Sequence, residues 1–157
     1  MRKCHAASVA TVLTLSATFA VLIPPAPASA GGPVKITAAY YDPYIGPDPD
    51  TNAGRNLEYI VIRNGGSRSI ALTGFVLHDV PRTGSTNRVV FPKFTLRPGK
   101  SVRVHTGSGS NSSTDLYWGK SVYVWGDDAD TATLQNKAGS NVSVCSWGTA
   151  STSPHYC

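Results

Sequence analysis

The sequence predicts an all-β antiparallel sandwich, and three observations carry that prediction. After the first thirty residues no helical period runs through the chain. In its place comes a succession of short β-rich runs bounded by glycine, proline, asparagine and serine. Several of these runs alternate apolar with polar residues, as strands do when one face meets a core and the other meets water. Two such sheets packed face to face satisfy the pattern.

Residues 1–30 are expected to lie outside the fold. Arg2 and Lys3 give a positive start, an apolar stretch runs to Ile23, and Ala28-Ser29-Ala30 is an A-x-A cleavage site. That order of charge, apolar run and small residues reads as a secretory signal peptide. The apolar run is too short for a membrane span of ~20 residues and is broken by prolines. The expected mature domain is 31–157, long enough for one hydrophobic core and too short for two. It carries no further apolar span, so the expected localisation is secreted and extracellular, with non-covalent cell-surface attachment open.

Strands are expected near Val34–Tyr41, Leu57–Arg63, Ile70–Asp79, Arg88–Phe91, Ser101–His105, Val122–Trp125, Thr131–Gln135 and Val142–Ser146. In Ser101–His105, Val102 and Val104 point one way and the polar residues the other. Ala132 and Leu134 alternate with threonines, and Val142 and Val144 with Asn141 and Ser143. Within Ile70–Asp79 the apolar register shifts at Gly74, which suggests a β-bulge. Asn64-Gly65-Gly66-Ser67 offers residues that tolerate positive φ, and Arg97-Pro98-Gly99-Lys100 combines proline with glycine as turns do. Asn136–Ser140 reads as the hairpin between the last two strands. Asp42–Arg55 and Thr106–Thr114 read as irregular surface segments.

Removal of the leader leaves two cysteines, Cys145 and Cys157, an even pair that reads as a disulfide in an oxidising compartment. The mature domain carries 12 basic residues against 9 acidic ones, a net charge of only +3. The signs are segregated: no acid lies between Asp79 and Asp115, where Arg82, Arg88, Lys93, Arg97, Lys100 and Arg103 fall. This asymmetry makes Arg88, Lys93, Arg97, Lys100 and Arg103 candidate polyanion-binding residues. The competing expectation is that interleaved strands mix the signs in space.

The order of these features resembles the lamin tail domain, an immunoglobulin-like β-sandwich found at the end of nuclear lamins and in secreted bacterial proteins. The resemblance rests on Glu58-Tyr59-Ile60-Val61-Ile62-Arg63-Asn64, Leu72-Thr73-Gly74-Phe75-Val76-Leu77, and Leu96-Arg97-Pro98-Gly99-Lys100-Ser101-Val102. Its most specific stretch is Thr114-Asp115-Leu116-Tyr117-Trp118-Gly119, followed by Val124-Trp125 and Asp130-Thr131-Ala132-Thr133-Leu134. It spans Val34 to Trp147. The chain departs from the family by lacking a coiled-coil rod, and it has Phe75 where tryptophan is frequent. What the resemblance implies is an interaction role without catalytic residues.

The residues point the same way. No G-x-S-x-G or plausible nucleophilic cysteine is present, and His78, His105 and His155 have no metal-ligand spacing. Asp127, Asp128 and Asp130 are too close in sequence to read as a glycosidase pair. Asp48, Asp50 and Asn52 resemble the start of a calcium loop, but Gly54 comes one place late and Tyr59 stands where the closing glutamate belongs. A solvated acidic turn is the better reading. Trp118, Trp125 and Trp147, with Tyr117 and Tyr123, are expected in the core, with a sugar platform as the alternative. No catalytic residue, metal or cofactor is implied, and no small-molecule substrate. The leading expectation is a non-catalytic secreted module that binds a protein or a polyanion such as DNA or an anionic wall polymer. The alternative is a carbohydrate-binding module using exposed tryptophans.

Overall fold

The computed structural model describes residues 33–41, 50–79, 87–149, 151 and 153–157. The expected leader, most of the acidic loop after Tyr41, and Arg82 therefore lie outside the described residues. In chain order the elements are β1 (Val34–Tyr40), α1 (Asn52–Arg55), β2 (Tyr59–Asn64), β3 (Ile70–Ala71), β4 (Val76–Asp79) and β5 (Arg88–Val90). They continue with β6 (Thr95–Leu96), β7 (Ser101–His105), β8 (Asp115–Tyr117), β9 (Asp130–Gln135), β10 (Asn141–Trp147) and β11 (His155–Tyr156).

The strands form an immunoglobulin-like β-sandwich. One sheet has the order β11-β1-β2-β7-β8, the facing sheet the order β10-β9-β4-β5, and β3 pairs with β6 in a short ribbon. Side-chain alternation builds the core between them. Ile60 and Ile62 on β2 lie opposite Val104 and Val102 on β7, and Leu77 on β4 lies opposite Leu134 on β9. All six are buried, and each contributes roughly 1.5–3 kcal/mol by leaving water. One ladder departs from the antiparallel rule: β7 and β8 pair in parallel, Val104 opposite Leu116. The irregular segment 106–114 supplies the crossover that a parallel pair needs.

Several expectations are corrected, beginning with the strands. Ile70–Asp79 is two strands, not one bulged strand. Phe75 N–H donates to Leu72 O at 2.9 Å, closing a turn in which Gly74 has φ +78°. The chain uses this turn to pass from the β3–β6 ribbon to the second sheet. Val144 does not face the core: a register shift between Asn141 and Ser143 turns it outward, 50 % exposed, and buries Cys145 and Trp147 instead. Thr133 is buried on the outer face, where its short side chain lies between His78 and Val144 on the neighbouring strands.

Val122–Trp125 is not a strand, for a chemical reason. The Glu58 carboxylate accepts from Val124 N–H at 3.0 Å and from Trp125 N–H at 2.7 Å, which satisfies donors that a ladder would otherwise use. Glu58 is fully buried. Burial pushes its carboxyl up from 4.5 to about 7, against the lowering pull of the Thr106 hydroxyl and the two amides, with Asp127 adding to the rise.

The expected disulfide is present. Cys145 on β10 bonds Cys157, with Cα atoms 5.5 Å apart. The neighbouring β11 covers the free edge of β1, pairing Tyr156 with Ala38 and His155 with Ala39. The bond therefore ties one sheet to the edge of the other.

Candidate functional site

Concavity and charge coincide at one end of the sandwich. A cleft of about 490 Å³ is lined by Ser69, Thr95, Leu96, Arg97, Lys100, Ser101, Ser113 and Thr114. Its walls come from the β3–β6 ribbon, the start of β7 and the segment entering β8. Among the described residues two cations and five hydroxyls line it, and no carboxylate does.

Asn64, the buried last residue of β2, organises this end. Its amide donates to Arg68 O at 2.8 Å and to Leu96 O at 3.0 Å, and its carbonyl accepts from Gly66 N–H at 2.9 Å. Its backbone accepts from Gly99 N–H at 2.8 Å and donates to Lys100 O at 2.9 Å. One residue thus joins the turn after β2 and the end of β6 through its side chain, and the Arg97–Lys100 turn through its backbone. Gly99, at φ +69°, makes that turn possible, whereas Gly65 and Gly66 do not use positive φ. The turn after β2 is shaped by the asparagine side chain and not by the φ tolerance of its glycines.

The five candidate cations do not form one patch. Arg97 and Lys100 flank the cleft together. Arg103 lies on the outer face of the five-stranded sheet, its Nε donating to Asp115 Oδ1 at 2.7 Å and its guanidinium 5.9 Å from the Tyr59 ring centroid. Arg88 is on β5, on the outer face of the other sheet, beside Val76, His78 and Gln135. Lys93 is exposed in the β5–β6 connection.

The signs mix at Arg103. Burial raises Asp115, but hydrogen bonds from Thr114, His105 and Arg103 outweigh it and hold the carboxyl well below the usual carboxylate range. The same bond to Asp115 raises Arg103. An arginine neutralised in this way has little charge to offer a ligand. The free cations of the segment at this end are Arg97 and Lys100, neither of which has a carboxylate partner among the described residues.

The tryptophans do not form an exposed platform. Trp125 and Trp147 are 3 % and 5 % exposed. Tyr41, Trp147, Trp125 and Trp118 make successive ring contacts at 4.8, 5.9 and 5.8 Å, which fill one end of the core. Trp147 donates its indole N–H to Gly126 O at 2.8 Å, and Trp118 donates to Arg88 O at 3.1 Å. Bulky rings closing an open sandwich end explain this better than sugar stacking.

Tyr117, expected in the core, stands instead in an aromatic row on the outer face of the five-stranded sheet. Tyr40, Tyr59, His105 and Tyr117 lie opposite one another across four strands. Their successive ring centroids are 4.2, 5.1 and 4.9 Å apart. Burial and the neighbouring Tyr40 push the Tyr59 phenol up to about 12. The residues were visible, but only strand register brings them together. The calcium-loop reading fares differently. Asp50 pairs with Arg55, Thr51 caps α1 by accepting from Gly54 N–H, and Asn52 holds Ser108 by two hydrogen bonds. Asp48 lies outside the described residues, and among those described no three acid, histidine or cysteine side chains converge on a metal position.

Comparison with known proteins agrees with the fold. The family model described as Lamin Tail Domain matches residues 27–149. No curated protein matches the chain.

Proposed function

The chain belongs to the lamin tail domain family, and on that premise we propose that it is a secreted, non-catalytic binding module whose ligand is a polyanion. The family is a non-enzymatic immunoglobulin-like one, so binding and not turnover is the expected output. One observation carries the choice of ligand: the cleft that joins Arg97 and Lys100 to five hydroxyls and, among the described residues, to no carboxylate. A concave site with two unneutralised cations raises the local concentration of anions. Secretion is supported by the expected leader and by the Cys145–Cys157 bond, which belongs to oxidising compartments.

The test is the affinity of the protein for an anionic wall polymer before and after Arg97→Ala with Lys100→Ala. Losing two phosphate contacts should weaken binding about ten-fold at 50 mM salt and flatten the salt dependence. Equal binding by the double variant would remove the cleft from the function and turn the search to protein partners.

A further inference from the structure

We propose that the anion site continues from the cleft across the outer face of the five-stranded sheet, and that it holds a flexible polyol-phosphate chain without bases. This rests on the polyanion reading and deepens it. Strand register supplies the extension: Lys35 on β1 lies opposite Arg63 on β2, and Arg63 lies opposite Ser101 on β7. Ser101 is itself a wall of the cleft. With neighbouring strands ~4.8 Å apart, Lys35 and Arg63 sit within about 10 Å of that wall. Both are exposed, and neither has a carboxylate partner among the described residues. Like charges directly opposite on antiparallel strands repel and cost stability. A bound anion between them relieves that cost, and Arg97 and Lys100 continue the line.

The class of polymer follows from what surrounds the cations. Single-stranded nucleic acids draw much of their binding from bases stacked on free aromatic faces. Four rings on this face contact one another in a row. A fifth, Tyr156 at the β11 edge, is 73 % exposed but stands as a single ring and not as the succession of platforms that neighbouring bases need. Tyr40 and Tyr59 stack at 4.2 Å with planes 21° apart, and His105 and Tyr117 stack at 4.9 Å and 17°. Gly109 also lies against the Tyr117 ring, where a Cβ would meet it at 2.4 Å. Duplex DNA, with a persistence length of ~50 nm, cannot follow a path into a cleft and out onto a sheet face without a bending cost of about 1–6 kcal/mol. A flexible chain of phosphates joined by hydroxylated carbons can, and its hydroxyls match the serine and threonine lining.

The experiment measures binding of the full chain to poly(glycerol phosphate) and to duplex DNA of equal phosphate number, at 50 and 200 mM salt. The expected result is at least ten-fold tighter binding of poly(glycerol phosphate). Lys35→Ala with Arg63→Ala should weaken it about ten-fold and lower the salt slope by about 1–2. Both are exposed positions, and a thermal transition no lower than the parent's verifies that the variant is folded. DNA binding as tightly as poly(glycerol phosphate) would overturn the ligand class, and unchanged affinity in the double variant would overturn the extension. In either case the polyanion reading survives; binding of neither polymer overturns both.

Discussion

At the scale of the residue, Glu58 and Asn64 do more than their chemical types announce. A glutamate at the start of a strand reads as solvent-facing, and nothing in its sequence neighbours reveals that Val124 and Trp125 will fold over it. Its carboxyl, raised from 4.5 to about 7, gives a signed prediction. Between those values the folded state binds more protons at Glu58 than the unfolded chain, so the contribution of Glu58 to stability is complete below pH 4.5 and is lost as pH rises through 7. The shift corresponds to roughly 3 kcal/mol. Urea unfolding at pH 4.5 and pH 8 should show this decline, and Glu58→Gln should flatten it. An unchanged slope in the variant would assign the pH dependence to another group. Asp115 acts with the opposite sign: its depressed carboxyl stabilises above the ordinary aspartate range and loses that contribution as pH falls below it.

At the scale of the element, the legible strands were those whose alternation is uninterrupted. Ser101–His105 is observed with the bounds expected, because Val102 and Val104 alternate cleanly between two turns. The misread strands are those where the chain breaks its own period. Apolar residues in Ile70–Asp79 belong to two sheets, and a bulge turns Val144 out of the core. The two-residue strands β6 and β11 and the three-residue β8 carry too few residues for a period to register. The segment 106–114 has its own constraint, since Gly109 lies against the Tyr117 ring and a Cβ there would approach three ring carbons within 2.7 Å. Gly109→Ala should therefore displace the loop or the ring and cost about 1–3 kcal/mol. Near-ultraviolet circular dichroism would report the altered tyrosine environment together with a lower unfolding midpoint. A wild-type spectrum and midpoint would show that the loop does not press on the ring.

At the scale of the whole molecule, the disulfide and the charge distribution are both products of topology. Cys145 and Cys157 are 12 residues apart, but their bond links β10 of one sheet to the β11 edge of the other. Its removal should cost about 3 kcal/mol. Cys145→Ala with Cys157→Ala, compared with the parent by urea unfolding, checks that loss, and hydrogen exchange should show β11 released from β1. Equal stability would mean that β11 is held by pairing alone. The acid-free segment was readable as a run of cations, yet the fold disperses it, sending Arg88 to the opposite sheet and neutralising Arg103 with Asp115. The residues that join Arg97 and Lys100 are Lys35 and Arg63, which stand in an acid-bearing part of the chain. No linear charge count could select them, because register across β1, β2 and β7 is what aligns them.

The most direct test of this account is a residue-resolved map of the bound surface, by backbone amide chemical shifts during titration with poly(glycerol phosphate). Perturbations should concentrate at Thr95–Ser101 and Ser113–Thr114, run on to Lys35 and Arg63 and fade at 200 mM salt. Perturbations centred instead on Arg88, His78 and the outer face of the four-stranded sheet would contradict it.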